Sequence, residues 1–200
     1  MNFDPENGIE AKVKLTSSRY FAHRIRDQYQ ELGEDEYLTR KESGSLDFEI
    51  DEYEISNIKV LEKPIEESYT LFADNSFGNG SKINISPIIY RTVKSNPFKL
   101  EERLYPVDYG YQRFITQRIN FTIPEGYEVI NVPKDAGIKL PNRGGSYVLK
   151  VLKKENQIDI YIRYQIAKKI FTSEEYYHLK EFYKKIIEAE KSSIVLEKIN

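Results

Sequence analysis

Residues 96–124 read NPFKLEERLYPVDYGYQRFITQRINFTIP, and this stretch decides the fold because it ends in the clearest strand of the chain. Asn96-Pro97 marks a turn, since the proline ring fixes its own φ and pushes the preceding residue out of the α region. Pro106 and Gly110 bracket Val107, Asp108 and Tyr109, which predicts an irregular or extended crossing rather than a helix. Beyond it Ile119, Phe121 and Ile123 alternate with Arg118, Asn120 and Thr122, the period of a pleated strand with one apolar face. Pro124-Glu125-Gly126 stops that strand.

Downstream, short strands are predicted at 127–132 and 137–140, with a turn at 142–145. Tyr147, Leu149 and Val151 then pair with Ile158, Ile160, Ile162 and Tyr164 across a loop of hairpin length. Thr172 or Ser173 caps a last helix whose apolar stripe is Tyr176, Leu179, Phe182, Tyr183, Ile186 and Ile187, with Glu175 placed for a capping box. Ile194 and Leu196 belong to a terminal strand.

Upstream, Ile9, Ala11, Val13 and Leu15 alternate as a strand, and Ser17 or Ser18 can cap a helix. Phe21, Ile25, Tyr29 and Leu32 recur at helical spacing, leaving Arg24, Arg26 and Asp27 for solvent. Gly33 stops this helix, and a further helical turn is predicted over 34–41. Leu46, Phe48 and Ile50 alternate again, a second apolar series holds Ile58 and Val60, and strands at 69–73 and 83–87 are predicted to form a hairpin across 74–80. These elements imply an α+β fold, mainly β: antiparallel, sandwich-like sheets with two main helices packed on a face or end. The turn at 95–97 separates a β-rich part with one helix, 1–95, from a β domain with a terminal helix, 96–200, although the two can form one continuous domain.

A compact chain of 200 residues buries roughly 70% of its unfolded surface, enough for a core without covalent staples. Its 16 Tyr and 10 Phe, with no Trp, suit half-buried strand surfaces. Thirty basic and 32 acidic residues are mixed along the chain, so nothing points to nucleic acid. The absence of cysteine excludes disulfides, thiolate nucleophiles and cysteine-based metal sites. No apolar run approaches the ~20 residues that span a bilayer. The opening MNFDPENG lacks the basic-then-apolar order of an export signal, so an exported native protein would carry its signal outside this sequence.

The candidate binding residues are Arg103, Tyr105, Asp108, Tyr109 and Tyr111, because a crossing with an arginine and several tyrosines can line a groove for a peptide or glycan. The structural alternative is preferred: Arg103 and Asp108 form a buried pair that ties the crossing to the sheet, and the tyrosines pack. His23 and His178 each fall on a helix within one turn of a carboxylate, where ion pairing explains them better than a zinc site needing three or four ligands. Asp47, Glu49 and Asp51, and the loop from Asp74, lack the spacing of a calcium loop. No catalytic residue, metal or cofactor is implied.

Four segments, NPFKLEERLYPVDYGY at 96–111, FTIPEGYEV at 121–129, LPNRGGSY at 140–147 and EEYYHLKEFYKKI at 174–186, together resemble the C-terminal β-rich domains of bacterial transglutaminase-like envelope proteins. The likeness covers about 96–198 and continues more weakly upstream. It implies a non-catalytic accessory domain that supports or presents an upstream transglutaminase-like core of the same native chain, in the periplasm or cell envelope. An independent peptide- or glycan-binding module is the alternative.

Overall fold

The structure of the protein, a computed structural model, describes residues 2–4, 8–43, 48–73, 81–86, 88, 92–123 and 125–199. Their elements are β1 (Asn2–Asp4), β2 (Gly8–Ser17), α1 (Tyr20–Glu42), β3 (Phe48–Ser56), β4 (Ile65–Ala73), β5 (Lys82–Ile85), β6 (Val107–Asp108), β7 (Arg113–Thr122), β8 (Tyr127–Asn131), β9 (Ala136–Lys139), β10 (Gly145–Lys153), β11 (Gln157–Ile166), β12 (Ile170–Phe171), α2 (Tyr176–Glu190) and β13 (Ile194–Lys198). The fold is therefore mainly β with two helices.

One eight-stranded sheet runs β3-β4-β2-β1-β7-β11-β10-β9, and β2 also pairs directly with β7. Its pairings are antiparallel except for a single parallel contact of β1 with β7. A three-stranded antiparallel sheet runs β5-β13-β8, and β6 pairs with β12. Strands from both sides of the turn at 95–97 share sheets: Val13 stands opposite Ile119, and Ile83 opposite Leu196.

The alternation read in 113–123 is realised in β7, where Ile119 and Phe121 are buried between exposed Arg118, Asn120 and Thr122. Its neighbour β11 buries Ile158, Ile160, Ile162, Tyr164 and Ile166 on the same side, and the stripe of α2 joins the same cluster. Full burial of one such side chain stabilises the fold by roughly 1.5–3 kcal/mol, so this cluster dominates the energetics. Gly145 opens β10 where a Cβ would come within 2.5 Å of the Gln165 carbonyl oxygen, so only glycine lets β10 reach β11 at that point.

Several sequence expectations are corrected. The hairpin between 69–73 and 83–87 does not form: β4 lies between β3 and β2, whereas β5 pairs with β13 near the far end of the chain. The apolar series of Ile58 and Val60 lies in a turn. Arg26 is buried rather than wet, because its guanidinium donates to the carbonyls of Ile58 (3.1 Å), Asn57 (3.1 Å), Val60 (2.7 Å) and Lys63 (2.8 Å), fastening that turn to α1. The expected serine cap is absent at α1, whose N-cap position is Arg19 with φ of 59°. Gly33, at φ of +76°, breaks the helix as its sequence position implies. At α2 the N-cap position is Glu175 rather than Thr172 or Ser173 and makes no side-chain cap; the Glu175 carboxylate accepts from the Thr172 amide (2.9 Å) in the turn ahead of the helix.

Candidate functional site

The crossing begins with Asn96, whose side chain accepts from the Phe98 amide (3.0 Å) and donates to the Lys180 carbonyl (2.9 Å). Phe98 is buried edge-on to the rings of Tyr176 and Tyr183. The Leu100 carbonyl accepts from the Tyr176 hydroxyl (3.1 Å) and the Lys180 ammonium (2.9 Å), so α2 holds the chain here. From Lys99 to Pro106 every side chain then faces solvent, including Leu104 at 88% and Tyr105 at 76% exposure. The chain re-enters the core at Val107 and Tyr109, and the Tyr109 amide donates to the Lys169 carbonyl (2.8 Å).

The five residues singled out in the sequence do not converge. Arg103 is exposed and donates to the Tyr105 carbonyl (3.1 Å), while the Asp108 carboxylate accepts from the Gly110 amide (2.7 Å). Each charge is satisfied by its own turn, which is why the expected buried Arg103–Asp108 pair does not form. Tyr109 enters the core, edge-on to Phe171, and its hydroxyl donates to the Tyr183 hydroxyl (3.0 Å), which lies 2.9 Å from the Tyr164 hydroxyl. Burial, then the neighbouring Tyr183, holds the Tyr109 hydroxyl far above the usual phenol range, so Tyr109 stays protonated and offers no base. Tyr111 turns the other way and stacks on Tyr20, with ring centroids 3.5 Å apart. Arg113 was not singled out in the sequence; its guanidinium carbon sits 4.6 Å from the Tyr109 ring centroid and 5.2 Å from that of Tyr111.

A second polar centre was missed. Glu67, on the inward face of β4 with Ile65 and Tyr69, is 2% exposed and accepts from the hydroxyls of Tyr37 and Tyr53, each at 2.9 Å. It also pairs with Lys41, whose ammonium lies 5.3, 5.7 and 4.8 Å from the ring centroids of Tyr37, Tyr53 and Tyr69. Burial lowers the Lys41 pKa below 10.5, and Glu67 offsets part of that. The available signal was a glutamate two residues from apolar neighbours on both sides of one strand face.

Glu190, the last residue of α2, is fully enclosed, facing the hydroxyls of Thr92 and Tyr147 and the Thr92 and Val93 amides, with no partner at strict hydrogen-bond geometry. Burial raises its pKa above 4.5, and a carboxylate at a helix C-terminus is opposed by the helix dipole as well. The folded state then binds more protons than the unfolded one above pH 4.5, so this residue's contribution to stability falls as pH rises through that window. Glu190→Gln should stabilise the protein at pH 7 by roughly 0.5–2 kcal/mol. In urea titrations at pH 5 and pH 7 the gain should be the larger at pH 7.

His23 is exposed, its Nδ1 3.4 Å from Asp27, and His178 lies exposed beside the ring of Tyr177. Glu49 and Asp51 are exposed on β3, whereas Asp47 and the loop 74–80 lie outside the described residues. Among the described residues no three of His, Asp and Glu come together as metal ligands, and no helix is long and apolar enough to cross a membrane.

A family profile described as a domain of unknown function (DUF3858) matches residues 81–196, more than half of the chain. No curated protein and no solved structure matches the sequence.

Proposed function

We propose that this chain, which belongs to the DUF3858 family, is a non-catalytic accessory domain of an exported transglutaminase-like protein, placed in the periplasm or cell envelope and docked on the catalytic core of its own native chain. Its sheets act as the two layers of a sandwich-like scaffold. The observation that carries this reading is the arm over 99–106. Its root is fixed to α2 through the Leu100 carbonyl, yet Leu100, Leu104 and Tyr105 stand 63%, 88% and 76% exposed. Large apolar side chains presented on a held backbone lose little entropy on docking, which suits a protein surface as partner. The polar centres support the same reading, because Tyr109 and Glu67 spend their hydrogen bonds inside the fold.

The test starts with the native reading frame ahead of Met1. A Cys, His and Asp core there supports the reading, and a native start at Met1 removes it. In the longer protein, Leu104→Asp with Tyr105→Ser should weaken the coupling between core and domain, seen as the core melting separately and at lower temperature. Unchanged core melting and unchanged turnover would overturn the docking arm.

A further inference from the structure

On the face of the large sheet opposite the core lies a depression of about 730 Å³ across β3, β4, β2 and β7. Its charges are sorted by strand: Glu52 and Glu54 on β3, Lys12 and Lys14 on β2, Arg118 on β7. We propose that this groove binds a short peptide by both of its charged ends, the amino terminus at Glu52 and Glu54 and the carboxylate at Lys12, Lys14 and Arg118. The inference is independent of the docking arm.

The acidic lip is made by a bulge. Ile50 and Tyr53 both pack against the core, and a regular strand that turned Ile50 inward would turn Glu52 and Glu54 inward with it. An extra residue between Asp51 and Glu54 reverses that parity, so both glutamates face the groove. The conformation is strained, with Glu52 at φ of 51°, and is secured locally: the Asp51 carboxylate accepts from the Glu52 amide and the Thr70 hydroxyl donates to Glu52, both at 2.8 Å. Strain at a side-chain-bearing residue, spent on turning two carboxylates to solvent, points to a use for them.

The opposite wall is cationic. None of the ion pairs among the described side chains involves Lys12, Lys14 or Arg118, and the Arg118 guanidinium rests 5.4 Å from the centroid of the Tyr161 ring. In register Glu54 stands opposite Ser68, Ser68 opposite Lys14, and Lys14 opposite Arg118, so β4 keeps the two signs apart. At ~4.8 Å between strands, the acids lie about 10 Å from β2 and about 14 Å from β7. An extended peptide advances ~3.3–3.6 Å per residue, so three or four residues bridge that gap with the ammonium at one end and the carboxylate at the other. Arginine suits the carboxylate end because its planar fork donates to both oxygens.

Calorimetry of the full chain with trialanine and tetraalanine at low salt tests this. Saturable binding is expected, weakened about tenfold by N-acetylation or by C-terminal amidation. Glu54→Gln should abolish the penalty for acetylation alone, and Arg118→Ala the penalty for amidation alone, each with an unchanged melting temperature. No saturation up to about 10 mM peptide, or equal affinity for the doubly blocked peptide, would overturn the proposal. So would binding of a polyglutamate chain that loses affinity in Arg118→Ala while trialanine does not bind.

Discussion

Glu67→Ala should lower the unfolding free energy by about 3–5 kcal/mol, the cost expected when one partner of a buried ion pair is removed. The Lys41 side chain is 11% exposed and Glu67 is its counter-ion, so the truncation leaves an ammonium facing the rings of Tyr37, Tyr53 and Tyr69. It also takes the acceptor away from two tyrosine hydroxyls. A double variant, Lys41→Met with Glu67→Leu, should recover part of the loss, because removing both charges removes the desolvation cost along with the attraction, while the Tyr37 and Tyr53 hydroxyls still lose the Glu67 acceptor. The sign of the pH effect follows from Lys41. Its folded pKa is lowered, so the unfolded state binds more protons between that value and 10.5, and stability gains from this residue as pH rises through the window. Without Glu67 the ammonium is less favoured still, so Glu67→Ala should recover more than wild type between pH 7 and pH 9.5. Urea titrations followed by circular dichroism measure both effects, and a cost under about 1 kcal/mol would sink the account of this centre.

What the sequence made legible were the features that a few neighbouring residues decide. The hairpin of β10 and β11 forms with Leu149 opposite Ile162 and Val151 opposite Ile160, as alternation and loop length implied. Gly33 breaks α1, and the stripe of α2 is the one that faces the core. What stayed hidden was decided by partners far along the chain. Nothing near Ile83 reveals that β5 would pair with β13, more than a hundred residues later, rather than with β4. Arg26 reads as a solvent residue until the turn at 57–63 lays four carbonyls on it. Among the candidate site residues, periodicity could separate Tyr109 from its neighbours only if the crossing were a regular strand, and β6 holds just Val107 and Asp108. The acidic lip of the groove was illegible for a related reason: a bulge changes strand parity, and pattern reading assumes that parity is kept.

Tyr109→Ala should cost about 3–5 kcal/mol, whereas Arg103→Ala should change stability by no more than about 0.5 kcal/mol. The contrast follows from where the crossing puts its side chains. Tyr109 is 8% exposed, packs edge-on to Phe171, lies under the guanidinium of Arg113 and starts the hydroxyl chain through Tyr183 to Tyr164. Its loss opens a ring-sized cavity and removes the platform on which Arg113 rests. Tyr109→Phe keeps the ring and loses one hydroxyl, so about 1 kcal/mol is expected, softened because the Tyr183 and Tyr164 hydroxyls still meet each other. Among the described residues Arg103 bonds a carbonyl two residues away in an exposed turn. Thermal melts of the three variants therefore rank Tyr109→Ala, Tyr109→Phe and Arg103→Ala in falling order of damage. If Tyr109→Ala melted like wild type, Tyr109 would not be a core residue, and the crossing would again be available as a ligand groove. If the ranking holds, any loss of ligand binding in Tyr109→Ala reports the fold, and only variants of exposed residues such as Arg103 or Tyr105 can test the crossing for recognition.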